Sequence, residues 1–332
     1  MYFHTVLNPT LKISVIGGRG GKNKMKLSIV LSTYNGEAYI TEQLDSILNQ
    51  TRKADEVLIF DDCSTDNTPH IIEQFISEHN LTTWKFAVNH ENKGWKRNFM
   101  EGIWSTSGDL VFPCDQDDIW MPQKLEQMEK IMAENPQIMV LTSNYESFYD
   151  SGKRVCGPEK DDGKLIKQPL SNKVFNIRYP GCTYCIRREF VEISKKHWQV
   201  DFPHDALFWR MGMFSDSLYS YNMSLIQWRK HTDSTFTKES NRNRTYKKKL
   251  ESMDYARRVV DDLHDFVEDN DCSQEKIDIL DMSKKWIECR KAFYLSKNPC
   301  DGVKLLKYIN CYDRVKQYLG DWYLVYGKEN KN

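Results

Sequence analysis

Between residues 26 and 143 the sequence alternates repeatedly between short β-branched and aliphatic runs and longer stretches with apolar residues at three- and four-residue steps. Residues 27–32 (LSIVLS) have the near-continuous apolar character of a strand buried on both faces. Ala38, Ile40, Leu44, Ile47 and Leu48 then mark one face of a helix. A second strand over 56–60 runs into Asp61-Asp62, and Asp66 or Thr68 caps a helix carrying Ile71, Ile72, Phe75 and Ile76. A third strand over 84–88 precedes a helix with Phe99, Met100, Ile103 and Trp104 inward. The fourth strand covers 110–112, Leu125, Met128, Ile131 and Met132 mark the next helix, and a strand follows over 138–142. Strands alternating with helices of this length predict an α/β fold, a mostly parallel sheet flanked by helices.

Beyond residue 143 the alternation loosens. Residues 150–167, rich in Gly, Lys and Asp, read as an exposed loop, and strand-like and helical pieces resume between 174 and 229. From about residue 238 the chain is charged and helix-prone, with Leu250, Tyr255, Val259, Val260 and Leu263 at helical steps. The expected organisation is a flexible leader over 1–24, an α/β domain over 25–236 divided near residue 143, and a helical region over 237–332.

Composition removes several classes. Lys+Arg and Asp+Glu are both 47, so the basic excess of a general nucleic-acid binder is missing. Nine scattered cysteines make no disulfide framework and read as reduced, cytosolic thiols. Cys182 and Cys185 form a lone C-x-x-C with no second pair at zinc spacing, and read as small buried residues on a strand. No apolar run approaches the ~18 residues of a membrane span. Gly17, Gly18, Gly20, Gly21 and Lys22 fail as a phosphate loop, because Asn23 stands where a metal-binding hydroxyl belongs. Met25 then reads as an alternative start. The basic run 242–249 (RNRTYKKK), followed by an amphipathic helix, offers a contact to an anionic membrane, against the plainer reading of a solvated helix start packed on the catalytic domain.

The densest chemistry is Asp115-Gln116-Asp117-Asp118, three carboxylates within four positions directly after a strand. Such groups repel unless a cation or a donor-rich ligand sits among them. A hard divalent ion, Mg²⁺ or Mn²⁺, takes oxygen ligands of this kind. Ligands of open α/β sheets bind beyond the carboxyl ends of strands, where this cluster lies. Taken alone, the cluster is equally a solvated acidic turn.

Four strand-end motifs follow one another in order. They are Ser32-Thr33-Tyr34-Asn35, then Asp61-Asp62-Cys63-Ser64-Thr65-Asp66, then Asn92-Lys93-Gly94 with Arg97-Asn98, and finally Asp115-Gln116-Asp117-Asp118. This set resembles glycosyltransferase family 2, whose members have the GT-A fold, densely from residue 26 to about 126 and more thinly to about 234. DQDDIW is similar to the form in bacterial polysaccharide rhamnosyltransferase-like members. The resemblance implies an inverting, metal-dependent transfer of sugar from a UDP- or dTDP-sugar, dTDP-rhamnose among the candidates. The acceptor would be a saccharide, free or lipid-linked, in cell-surface polysaccharide synthesis. The enzyme would be cytoplasmic or peripheral at the inner face of the cell membrane.

By the same resemblance Ser32, Tyr34, Asp62, Arg97 and Asp115 contact the nucleotide-sugar. Asp62 faces the base, Asp115 the ribose, and Asp61 either reaches the ribose or orients its loop. Asp117 is the metal ligand, with His231 of Arg229-x-His231 as a second. Asp205, in Pro203-His204-Asp205, is the general base, and Gly181 and Arg187 loosely match the wall between donor and acceptor. Asp118 braces the turn into Trp120. Most tryptophans read as core, with Trp95 or Trp120 as candidates for stacking on a sugar. A sugar nucleotidyltransferase would need a Gly-rich basic loop where Ser32-Thr33-Tyr34-Asn35-Gly36 stands. A carbohydrate-binding protein with a decayed site is opposed by the intact Asp62, Asp117 and Asp205.

Overall fold

The structure is a computed structural model that describes residues 24–149, 151–231, 245–270 and 272–327. Residues 1–23 of the proposed leader and residues 242–244 of the basic run lie outside the described residues. The described residues divide into two compact units, one within 24–168 and 177–231, the other within 169–176 and 245–327.

The first unit is built on one ten-stranded sheet. Its strands are β1 (Leu27–Thr33), β2 (Glu56–Asp61), β3 (Trp84–Val88), β4 (Leu110–Asp115), β5 (Ile119–Trp120), β6 (Val140–Tyr149), β7 (Arg154–Cys156), β8 (Leu165–Lys167), β9 (Tyr184–Arg187) and β10 (Leu218–Lys230). Interleaved helices are α1 (Ile40–Leu48), α2 (Thr68–Glu78), α3 (Trp95–Ser105), α4 (Lys124–Glu134), α5 (Arg188–His197) and α6 (His204–Phe214). The order across the sheet is β3-β2-β1-β4-β9-β6-β10-β5, with β7 on β6 and β8 on β10. Strands β3, β2, β1 and β4 run parallel, as do β6 and β10. Between those sets β9 runs antiparallel to both neighbours.

Register aligns the chemistry. Thr33 is opposite Asp61 and Ser32 is opposite Asp115, so the ends of β1, β2 and β4 finish level on one edge. Beneath that edge Ile29, Leu31, Val57, Ile59, Phe112 and Cys114 form a core with Ile40, Leu44 and Ile72 from the helices. Each fully buried aliphatic side chain contributes roughly 1.5–3 kcal/mol relative to exposure. That core makes the edge a rigid platform for its loops.

The sheet departs from the sequence expectation after residue 138. Strand β6 extends to Tyr149, and the expected loop carries the short strands β7 and β8. The polar run Ser143, Asn144 and Ser147 breaks the apolar pattern, yet all three are buried. Pairing to β10, to β7 at Ser147, and bonds from Asn144 Nδ2 to Glu159 O and Asp161 Oδ1 (both 2.8 Å) hold this stretch in the sheet, while Ser143 Oγ and Asn144 Oδ1 are buried without a hydrogen-bond partner.

The second unit is helical: α7 (Tyr246–Asp269), α8 (Gln274–Ser296), α9 (Pro299–Lys304), a 3₁₀ segment (Leu305–Cys311) and α10 (Val315–Tyr326). Thr245 caps α7 by accepting from Lys248 N at 3.3 Å. Met253, Val259, Val260 and Leu263 of α7 are buried, whereas Leu250 and Tyr255 are half-buried. At the centre of the unit, Asp321 accepts from Arg290 Nε and a terminal guanidinium nitrogen (both 2.6 Å) and from the hydroxyls of Tyr294 and Tyr312 (both 2.8 Å). Among the described residues no helix is long and apolar enough to cross a membrane.

Candidate active site

The loop after β2 is held by its own carboxylates. Asp61 Oδ2 accepts from the hydroxyls of Thr33 (2.8 Å) and Ser64 (2.6 Å), while Oδ1 accepts from Ser64 N. These bonds tie Asp61 to the end of β1 and to its own loop. Asp66 Oδ1 accepts from Thr68 N and Oγ1 at the start of α2. Asn35, at φ +48°, donates its N–H to Ser64 Oγ and takes Thr65 N on its side-chain oxygen. The loops after β1 and β2 are thereby joined.

Asp62 is buried at the end of β2. Its oxygens accept from the backbone N–H groups of Lys93 and Gly94 (both 2.8 Å) and from Asn89 Nδ2 (3.0 Å). Gly94 precedes α3 at φ +82°, a backbone that favours glycine. Asn98 of α3 donates to Ser32 Oγ (2.7 Å) and Phe60 O (2.9 Å), and accepts from Asn89 (2.9 Å). Arg97, one residue earlier, faces outward and pairs with Glu101 at 2.6 Å. Asn98, not Arg97, is the member of that motif that joins the strand ends. Tyr34 is exposed at the same edge.

The acidic loop is clamped at three points. The Gln116 side-chain amide pairs with the backbone of Tyr34 in both directions. Arg229 donates its backbone N–H to Asp118 Oδ1 (3.1 Å) and its Nε to Asp117 O (2.9 Å), and its terminal nitrogen also bonds Glu42. Its guanidinium lies over the rings of Phe148 (4.5 Å) and Tyr39 (4.9 Å). Finally, His231 Nε2 lies 2.7 Å from Asp117 Oδ2. The two expected metal ligands, 114 residues apart, therefore meet.

Electrostatics mark this loop as unfinished without a ligand. Burial, with the charges of Asp117 and Asp205, pushes the Asp115 carboxyl up to about 7. Burial and the charges of Asp117 and Asp115 hold Asp118 well above the carboxylate range. Asp118 Oδ2 is buried and has no hydrogen-bond partner. Potential ligand atoms of Asp115, Asp118 and Cys182 all lie within 4.8 Å of one another. Crowded, protonation-prone carboxylates with an unbonded oxygen fit a hard divalent cation. The Cys182 thiol, pushed well above its ordinary range by burial, suits a proton better than a metal. Cys182 and Cys185 are both buried, and all nine cysteines are free.

Lys124 is wholly buried behind the loop. Its Nζ donates to Cys182 O at 2.6 Å and lies 4.0 Å from the Trp120 ring centre, and burial lowers its pKa to about 8. Trp120 is thus a core residue under the site. Asp118 takes the bracing position expected of it, with Arg229 as its partner.

Helix α6 supplies the last carboxylate. Ten of its eleven residues are buried, and Asp205 is the exception. A Cβ at Gly181 would lie 3.3 Å from Asp205 Cβ and 2.2 Å from His204 Nε2, so only glycine allows the turn before β9 to approach α6. Arg187 is level with Leu110, at the end of β4 remote from Asp115, and bonds Met132 O and Ile138 O. It stands apart from the strand-end loops that its loose match placed it beside.

Sequence reasoning missed Arg229, Asn98, Gln116 and Lys124 as site-building residues, although the first three lay inside motifs already singled out. The signals available were the helix phase of Asn98 beside buried Phe99 and Met100, and an uncharged Gln inside an acidic run.

A doubly flanked sheet whose level strand ends carry these loops and carboxylates defines a nucleotide-sugar glycosyltransferase of the GT-A fold. Residues 28–193, half of the chain, match the family described as "Glycosyl transferase family 2", and the chain belongs to that family. Among curated relatives, the dTDP-rhamnosyl transferase RfbG of Shigella flexneri is 32% identical over 170 residues, 50% of this chain and 56% of RfbG. The matched region thus spans little more than half of that relative. Among solved structures, S. aureus TarS 1-349 in complex with UDP-GlcNAc superposes with a TM-score of 0.61 at 20% identity, covering 91% of this chain and 81% of that one. The mannosyltransferase PcManGT from Pyrobaculum calidifontis, in complex with GDP-Man and Mn²⁺, gives 0.53 at 14% identity, covering 92% and 86%. At these identities both structures speak to fold alone. Family membership sets aside the nucleotidyltransferase reading.

Proposed function

We propose that this chain transfers a sugar, with inversion, from a UDP- or dTDP-sugar to a saccharide hydroxyl, with Asp205 as the general base. One observation carries this reading. Asp205 is the only residue of α6 that is not buried, and its charge acts on Asp115 in the acidic loop. A fully packed helix that spares one carboxylate holds that group in a fixed position. From there Asp205 removes the acceptor proton during attack, typically worth about 10²–10⁴ in rate. A single base acting in line, opposite the leaving group, gives inversion.

On the donor side, Ser32, Tyr34, Asp62 and Asp115 contact the nucleotide, Tyr34 with an exposed ring and Asp62 toward the base imide. Arg97 belongs to this set only if it leaves Glu101 when donor binds. Asp117 and His231 hold Mg²⁺ or Mn²⁺, with Asp115 and Asp118 adding to the negative field. A divalent cation bound there neutralises charge developing on the leaving diphosphate. The name of RfbG supports dTDP-rhamnose as a donor, the UDP-GlcNAc complex of TarS supports a UDP-sugar, and the Mn²⁺ of PcManGT supports the cation. The acceptor is a free or lipid-linked saccharide of a cell-surface polysaccharide, and the enzyme works in the cytoplasm with peripheral contact to the inner membrane face.

The test is Asp205→Asn, with donor binding by calorimetry and transfer by product analysis. Donor affinity should hold while kcat falls by about 10²–10⁴. Undiminished transfer, or a product with retained anomeric configuration, would remove Asp205 from this role.

A further inference from the structure

Thirteen large hydrophobic side chains are exposed among the described residues, and seven of them fall between Leu295 and Tyr326. Four lie on α10: Val315, Leu319, Tyr323 and Tyr326, at 61%, 59%, 73% and 48% exposure. Steps of four, four and three residues keep them within about 80° of arc on a helix. The opposite side of α10, with Tyr318, Asp321 and Val325, is buried in the helical unit. The apolar stripe is therefore additional to the face that holds α10 in place. Val303 and Leu306, on the segment before it, are exposed as well.

The charges around these residues have one sign. Between residues 303 and 326 every exposed charged residue is basic: Lys304, Lys307, Arg314 and Lys316. Lys304 is tied to Asp301, whereas Asp313 is half-buried and Asp321 lies beneath Arg290. This occurs in a chain whose acidic and basic residues balance at 47 each. An apolar helical stripe with tyrosines, flanked by cations, matches the interfacial region of an anionic bilayer. A two-fold contact with a second copy would instead set these cations against their equivalents.

We propose that the exposed face of α10, with Lys307, Arg314 and Lys316, is a docking surface for an anionic lipid bilayer. The apolar residues enter the headgroup boundary and the basic residues meet lipid phosphates, each cation adding to binding within a Debye length. The inference rests on the peripheral membrane contact proposed above and is independent of the donor chemistry.

The test uses the full chain in flotation with vesicles of phosphatidylcholine alone and of phosphatidylcholine with phosphatidylglycerol. Two variants accompany it, Lys307→Glu with Lys316→Glu, and Leu319→Ser with Tyr323→Ser, each checked by thermal melting. Wild type should float with the anionic vesicles at low salt, and each variant should bind about tenfold or more weakly. Transfer to a soluble acceptor should persist in both. Absence of flotation with anionic vesicles, or equal binding by both folded variants, would overturn the proposal. A wild-type dimer that Leu319→Ser with Tyr323→Ser converts to monomer would give the surface to a second copy. Loss of soluble transfer in wild type would count against the catalytic reading and leave the flotation result standing.

Discussion

The side-chain amide of Gln116 is paired edge to edge with the backbone of Tyr34, taking its N–H at 2.8 Å and giving a hydrogen to its carbonyl at 3.0 Å. A residue without charge thus latches the acidic loop to the end of β1. Gly36 makes room for it, since a Cβ there would lie 2.4 Å from Gln116 Oε1. Gln116→Ala should cost about 1–2 kcal/mol for two partly exposed bonds and raise the donor KM with little change in kcat. Gly36→Ala should do the same by pushing the amide away. Calorimetric melts and donor titrations check both, and an unaltered KM in the pair would mean that the latch does not shape the donor site.

Arg229 touches the acidic loop through its backbone N–H and its Nε without offering a ligand atom itself. Arg229→Ala should therefore weaken divalent-cation affinity by about 10–100-fold, the usual cost of losing a group that orients ligands. Mn²⁺ binding followed by electron paramagnetic resonance is the direct readout. Arg229→Lys should rescue little, because a lysine cannot reproduce the planar fork.

Asp115 and Asp118 give a pH dependence of definite sign. Their folded pKa values are raised, Asp115 to about 7, above the roughly 3.9 of an unfolded Asp. Between those values the folded state binds more protons, so the cation-free protein loses stability as pH rises from about 4 to 7. Asp262, whose carboxyl burial also lifts to about 7, adds a slope of the same sign that no cation relieves. Melting temperatures in chelator should fall between about pH 4 and 7, and Mn²⁺ should raise the melt more at the upper end. Asp118→Asn should shrink the difference. A Mn²⁺ effect independent of pH would show that these carboxylates do not titrate with the cation.

In the helical unit, Asp321→Ala removes the acceptor of four hydrogen bonds from three residues at once and leaves Arg290 buried without a counter-charge. Breaking one side of a buried pair costs about 3–5 kcal/mol. Asp321→Asn should recover part of this, because its carbonyl still accepts from Tyr294 or Tyr312. Chemical denaturation of the full chain measures both, and a loss below about 1 kcal/mol for the alanine variant would make the network dispensable.

Much of the nucleotide-side architecture could be read from residues 26–134, because parallel strands buried on both faces are nearly pure apolar runs and their loops follow at once. Strands β1 and β4 are instances. Strand β6 was only half legible: Ser143, Asn144 and Ser147 carry no strand pattern, and distant partners hold them in the sheet. The site's clamps were hidden for the same reason. Gln116 and Tyr34 are 82 positions apart, and Arg229 and Asp117 are 112 apart, distances over which no local pattern speaks. Lys124, a charged residue opening an amphipathic helix, is buried against Trp120 and Cys182 O.

The clamp from β10 also sets an order of assembly during synthesis. Strand β10 ends at Lys230, and its residues Ile226 and Gln227 pair with Trp120 and Ile119. A ribosome extending the chain at about 5–20 residues per second exposes the acidic loop for several seconds before Arg229 emerges. Until then three carboxylates sit on a nascent sheet without the strand that shapes them. Premature termination before β10 would leave a chain with most of its parallel core and an acidic loop without the strand that clamps it, so the loop takes its final shape only when this unit is complete.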